Sequence, residues 1–232
     1  TPCGTLFPYT TLFRSVLEGD YAATGHRSAR RLAGWETLPL TEEPLPNDDW
    51  YPPSSVPAPT LANIAGDERP EILFPSPDGH VYAFSPDAEL LWRHDYAEGA
   101  PLRYATEVVL ADLSGDGRPE VVFGVYGEPG KAAGRLVVLS SNGVEQHDLD
   151  LPGQNADSGN GVGPCAAPTI ADVEGDGQLE ILVLTIDHGL DVFTVPGSAC
   201  SCVPEGADPD LYCGPWPTGR GTYLRDGRIP GR

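Results

Sequence analysis

Methionine is absent from the 232 residues, and lysine occurs once, at Lys131. Without methionine the chain carries no initiator of its own and reads as a fragment. No apolar run approaches the ~18 residues of a membrane-spanning helix, and no signal peptide is visible. Positive charge is scarce: Lys and Arg total 14 against 34 Asp and Glu, for a formal net charge of −20. Such a surface repels phosphate backbones and anionic lipid. That argues against nucleic acid and a membrane surface as partners, and suits cations. Catalytic signatures are missing too. His26, His80, His94, His147 and His188 are scattered, with no His-x-x-x-His, no His-Glu-x-x-His and no Gly-x-Ser-x-Gly. Gly159-Asn-Gly161-Val-Gly163 has no helical segment after it, so it reads as a loop and not as a phosphate cradle. Arg27, Arg30 and Arg31 read as a solvated face.

Glycine and proline are plentiful, at 28 and 25, yet hydrophobic residues still make up 40% in short clusters. This describes a folded, turn-rich chain and not a disordered one. Residues Thr5 to Ser15, TLFPYTTLFRS, resemble the in-frame translation of a DNA-sequencing adapter. Residues 1–15 are therefore expected to be an artefact, and Cys3 does not count as a natural cysteine. Residues 16–56 form an irregular N-terminal segment, Pro-rich after Glu36 and biased there towards polyproline conformation. His26 to Leu32 leaves room for one or two helical turns between Gly25 and Gly34.

From residue 57 onward one unit recurs three times. Pro59 to Leu73 (PTLANIAGDERPEIL), Val108 to Val122 (VVLADLSGDGRPEVV) and Pro168 to Leu182 (PTIADVEGDGQLEIL) align without gaps, 49 and then 60 residues apart. Each copy is an apolar run, a Gly-Asp turn and a second apolar run. The runs Glu71 to Phe74, Glu120 to Phe123 and Glu180 to Ile186 are rich in β-branched and aromatic residues. So are His80 to Phe84, Glu89 to Trp92, Arg135 to Leu139 and Asp191 to Val195, and all seven are predicted strands. Pro77-Asp-Gly79 and Ser141-Asn-Gly143 are tight-turn signals between them. A period of about 50 residues with about four short strands predicts an all-β fold of β-propeller blades. The expectation is three four-stranded blades of a larger, seven-bladed ring, which leaves open sheet faces at both ends.

The turns carry the chemistry. In Asp112-Leu-Ser114-Gly-Asp116-Gly-Arg118-Pro-Glu120 the side-chain oxygens fall at positions 1, 3, 5 and 9, with a backbone carbonyl at 7. Ca²⁺ takes six to eight hard oxygens at ~2.3–2.6 Å, and a curled loop aims alternate residues at one point. Asp172, Glu174, Asp176, Gln178 and Glu180 repeat the arrangement with four carboxylates, which would repel one another without a cation. The first turn is damaged. Asn63 replaces Asp, Ala65 offers no side-chain oxygen, and Glu68 replaces Gly, so Asn63, Asp67 and Glu71 are expected to hold metal weakly or not at all.

The pattern Asp-x-x-Gly-Asp-Gly-x-x-Glu, preceded by Ala and followed by an apolar strand, resembles the FG-GAP/VCBS repeat. That family forms β-propellers similar to the head of integrin alpha subunits, with Ca²⁺ in its loops. The resemblance spans Pro57 to about Pro196. It implies the ligands Asp112, Ser114, Asp116, the Arg118 carbonyl and Glu120, and likewise Asp172, Glu174, Asp176, the Gln178 carbonyl and Glu180. The family often has Asp at position 9, so Glu there leaves open whether the residue binds metal or caps the turn. Trp216 to Gly227 resembles a segment near the ends of bacterial propellers. Its implied role is structural, an aromatic anchor with Arg220 or Arg225 tying the last strand.

Cys165, Cys200, Cys202 and Cys213 are disulfide candidates. A Cys200–Cys202 bond would close a very small strained ring. Two pairings remain: Cys200–Cys213 with Cys165–Cys202, or Cys202–Cys213 with Cys165–Cys200. Either implies an oxidising, extracellular location. The rival is a Cys-only zinc site, which Cys-x-Cys spacing disfavours. Function divides two ways. One reading is a secreted, non-catalytic Ca²⁺-binding scaffold for a protein or glycan ligand. The other is part of an enzyme propeller, quinoprotein-like or carbohydrate-active, whose catalytic groups lie elsewhere.

Overall fold

The apolar runs that flank the acidic turns are β-strands in the computed structural model. It describes residues 17–19, 29–31, 57–67, 69–99, 103–127, 134–151, 163–164, 166–185, 188–198 and 217–219. Among them there is no helix. β1 (Leu17–Gly19) and β2 (Ala29–Arg31) make a short antiparallel ribbon. Within the stretch that left room for helical turns, Ala29 to Arg31 is strand, and the rest of His26 to Leu32 lies outside the described residues. A span that short could not repay helix nucleation, whereas a partner strand supplies ladder bonds at once.

Three larger antiparallel sheets follow. The first runs β3 (Thr60–Ala62), β4 (Glu71–Pro75), β5 (His80–Phe84), β6 (Leu90–Asp95) in spatial order. In the second, β7 (Arg103–Ala105) and β8 (Val109–Ala111) lie one after the other along the same side of β9 (Glu120–Gly127). Thr106 joins the two: its N–H donates to the Gly124 carbonyl at 2.8 Å, and its Oγ1 accepts from the Gly124 N–H at 3.0 Å. Beyond β9 come β10 (Arg135–Leu139) and β11 (Glu145–Asp150). The third sheet is β12 (Thr169–Ala171), β13 (Leu179–Thr185), β14 (Gly189–Val195). On the far side of β12 the Pro217 carbonyl accepts from the Ile170 N–H at 2.8 Å, and Thr218 pairs with Thr169. Trp216, Arg220 and Arg225 lie outside the described residues. Each sheet is thus a meander, and among the described residues no sheet closes on itself.

Alternation along the strands sorts side chains onto two faces, and the sheets stack through those faces. Ala62, Leu73, Val81 and Ala83 of the first sheet pack against Leu110, Val121, Phe123, Val137 and Leu139 of the second. The opposite face of the second sheet, with Val109, Ala111, Val122, Leu136 and Val138, packs against Ile170, Leu179, Ile181 and Val183 of the third. The middle sheet is covered on both sides, which is why β10 reads Arg-Leu-Val-Val-Leu and is buried throughout. Each fully buried Leu, Val or Phe contributes about 1.5–3 kcal/mol relative to exposure. Polar bonds pin the sheet-to-sheet contacts at both ends. Thr60 Oγ1 donates to the Val108 carbonyl at 2.7 Å, and Trp92 Nε1 donates to the Ser141 carbonyl at 3.0 Å.

Candidate functional site

The three Gly-Asp turns link β3 to β4, β8 to β9 and β12 to β13, and share one plan. In the second turn, Asp112 is buried and acts as the hub. Its Oδ1 accepts from the N–H groups of Gly115 (2.7 Å) and Asp116 (3.1 Å), and its Oδ2 from that of Gly117 (2.8 Å). Gly115 and Gly117 sit at φ 75° and 85°, which a bare backbone tolerates and which lets successive N–H groups converge on one carboxylate. Asp116 Oδ1 accepts from the Arg118 N–H at 2.8 Å. The third turn repeats these bonds. Asp172 takes Gly175 (2.7 Å), Asp176 (3.1 Å) and Gly177 (2.8 Å), and Asp176 Oδ1 takes the Gln178 N–H at 2.9 Å.

Position 9 has a capping role. Glu120 is buried, and its Oε2 accepts from the N–H groups of Leu113 (2.7 Å) and Ser114 (3.0 Å). Glu71 does the same for Ile64 (2.7 Å) and Ala65 (3.0 Å), and Glu180 for Val173 (2.8 Å). The carboxylate thus closes the turn against the strand that follows it. Burial pushes the Glu120 carboxyl above its ordinary value, and the Leu113 and Ser114 N–H bonds oppose that shift.

The damaged first turn keeps the scaffold. Asn63 Oδ1 accepts from the Gly66 N–H at 2.8 Å, Asn63 Nδ2 donates to the Asp67 carbonyl, and Asp67 Oδ1 accepts from the Arg69 N–H at 2.7 Å. What it loses is charge at the hub. The part of the motif common to all three copies is therefore the part that folds the turn.

Donor chemistry in the second and third turns fits a hard cation, with carboxylate, hydroxyl, amide and carbonyl oxygens within one short loop. Ser114, Asp116, Glu174 and Asp176 are exposed. No Lys or Arg side chain pairs with Asp116, Glu174 or Asp176 among the described residues. Yet no three His, Cys, Asp or Glu side chains among those residues are gathered as a metal shell. In this conformation the hub and capping carboxylates serve the backbone. Cys165, Cys200, Cys202 and Cys213 all lie outside the described residues, so neither pairing is on view.

One polar cluster was not anticipated from the sequence. Arg135, at the start of β10, is largely buried between the first two sheets. It bonds Asp148, reaches Glu98 Oε1 at 3.4 Å and donates to the Tyr96 carbonyl at 2.6 Å. It joins the second sheet to the chain that follows β6. Its only sequence signal was a lone Arg leading an apolar strand. No helix among the described residues is long and apolar enough to cross a membrane. No family model matches the chain, and no curated protein matches it either.

Proposed function

We propose that this chain is a non-catalytic, Ca²⁺-stabilised β-propeller module, its three sheets being successive blades, that acts outside the cell as a scaffold binding a protein or glycan. The observation that carries the reading is the stacking: each sheet covers its neighbour through the same strand positions, in chain order, as blades do. Ca²⁺ would be held at Asp112, Ser114, Asp116 and the Arg118 carbonyl, and at Asp172, Glu174, Asp176 and the Gln178 carbonyl. Glu120 and Glu180 brace those loops from beneath. A bound divalent ion supplies positive charge that relieves the repulsion within each acidic turn and stiffens it. Stiff turns hold the connecting loops in fixed positions, where a rigid scaffold presents binding residues.

Calorimetric titration of CaCl₂ into the chain tests this. Two sites are expected, and Asp116→Ala with Asp176→Ala should abolish both. These two side chains are exposed, so the variant should keep its fold in chelator. At 100 times the dissociation constant each site adds about 2.7 kcal/mol of stability. No Ca²⁺ binding by the wild type, or two sites kept in the double variant, would overturn the cation assignment. Non-reducing peptide mapping of Cys165, Cys200, Cys202 and Cys213 tests the extracellular placement: four free thiols in secreted material would exclude it.

A further inference from the structure

β14 is the edge of the third sheet: among the described residues β13 lines one side of it and no strand lines the other. In the first two sheets the corresponding strands, β5 and β10, are inner ones, paired to β6 and β11 as well. An edge strand turns the N–H and C=O groups of alternate residues outward, where a further strand can take them up. The edges β6 and β11 are guarded by charge. β11 is exposed throughout and presents Glu145, Asp148 and Asp150, and β6 exposes Arg93 and Asp95. β14 carries no such guard. Over its seven residues the exposed side chains are Leu190 (60%), Val192 (51%) and Thr194. Its one charged residue, Asp191, turns to the opposite face, where its Oδ1 bonds His188 Nδ1 at 2.7 Å.

The chain's own continuation leads away from this edge. After the turn at Pro196 and Gly197, the Ser198 hydroxyl donates to the Val195 carbonyl at 2.6 Å and accepts from the Leu179 N–H at 2.8 Å, on the β13 side. Where the described chain resumes, the Pro217 carbonyl accepts from the Ile170 N–H, beyond β12. What fits the open edge is another edge of the same kind. Antiparallel pairing of two β14 strands about Val192 sets Val192 against Val192, Leu190 against Thr194 and Asp191 against Phe193. Aliphatic meets aliphatic or threonine on the solvent face, and no like charges stand opposite each other.

We propose that β14 pairs edge to edge, antiparallel, with β14 of a second copy of this chain, joining the two third sheets into one. Such a contact is isologous, the same surface serving both copies, so it closes at a dimer. It needs no cation, and it stands or falls separately from the Ca²⁺ reading.

Light scattering on the full chain, over a concentration series in chelator, tests this. Physiological ionic strength screens the −20 charge of each copy beyond about 8 Å but not side chains paired across adjacent strands. The mass should rise to twice the monomer and no further. Val192→Lys and Val192→Glu should each stay monomeric, since each sets like charges against each other across the two-fold axis. Mixed in equal amounts they should dimerise again, because Lys then opposes Glu. Val192 is half exposed, so both variants are expected to fold, and circular dichroism checks this. Hydrogen exchange gives a second reading on the unaltered chain: amides of β14 should exchange more slowly at high concentration than at low, with those of β6 and β11 unchanged. A wild type that stays monomeric up to hundreds of micromolar would overturn the proposal. So would growth past a dimer, single variants that dimerise as the wild type does, an equal mixture that stays monomeric, or concentration-dependent protection at β6 or β11 in place of β14.

Discussion

Trp92, on the edge strand of the first sheet, lies against Gly143 in a turn of the second. A Cβ built on Gly143 would stand 2.6 Å from the indole ring, and the indole N–H donates to the Ser141 carbonyl beside it. Gly143 also sits at φ 80°, where a side chain is strained whatever the space. One residue thus serves the hairpin turn and the sheet-to-sheet contact together.

Gly143→Ala should therefore cost about 2–4 kcal/mol, the sum of left-handed strain and overpacking. Chemical denaturation measures it. Combined with Trp92→Ala, which removes the ring, the glycine substitution should cost less, leaving only the backbone strain. Equal costs in both backgrounds would mean the indole does not press on Gly143.

β4, β5, β6, β9, β10, β13 and β14 were legible because β-branched and aromatic residues cluster between Gly-Asp and Asn-Gly turns. β11 was not. Glu145 to Asp150 is exposed throughout and nearly all polar, so it carries no apolar signal. It is a strand because the turn at Ser141 to Gly143 returns the chain alongside β10, whose ladder groups need partners. Its charge then protects the sheet edge. β7 was missed for a related reason: three residues, split from β8 by Thr106, are too short for a period to show. At the turns, the repeat and its oxygen spacing could be read directly. The direction of the Glu120 carboxylate could not, since it depends on strand register bringing residue 120 beneath the amides of 113 and 114.

That capping role separates from metal binding by experiment. Glu120→Ala strands two N–H groups that are bonded in the wild type, at roughly 1–3 kcal/mol for an unsatisfied buried group. A loss of about 2–4 kcal/mol is expected from denaturant titration in chelator. Glu71→Ala should lose a similar amount, although its turn lacks the charged hub. If Glu71→Ala were neutral while Glu120→Ala needed Ca²⁺ present to show its cost, position 9 would be a metal ligand first.

Ala88 offers a stabilising change. It occupies the turn between β5 and β6 at φ 67°, in the left-handed region where the matching turns use Gly143 and Gly197. Its N–H still donates to the Ser85 carbonyl at 3.0 Å, so the turn is formed despite the strain. Ala88→Gly relieves about 1 kcal/mol of strain and returns part of it through the looser unfolded chain. A net gain of about 0.5 kcal/mol, seen as a higher melting temperature, is the expected outcome; a lower one would show that the turn geometry is misassigned.

His94 gives the fold a pH dependence with a definite sign. Its ring lies 6.4 Å from that of Phe123 between the first two sheets, and its Nε2 is 3.6 Å from Glu145 Oε2. Burial is the main influence and holds its pKa below the ordinary 6.5, while Glu145 and Asp95 pull the other way. A depressed histidine favours the neutral form when folded. Its contribution is then fully present above pH 6.5 and is lost as pH falls below that value towards the folded pKa, because the unfolded chain takes up the proton first. The slope from one group cannot exceed about 1.4 kcal/mol per pH unit. Melting temperatures between pH 7.5 and 5 should therefore fall more steeply for the wild type than for His94→Gln, which cannot be protonated. The wild-type and variant curves should converge in shape above pH 7. A variant with the same acid slope would place the titration elsewhere, and a wild type stabilised by acid through this window would mean that Glu145 outweighs burial and that the imidazolium is the form the interface holds.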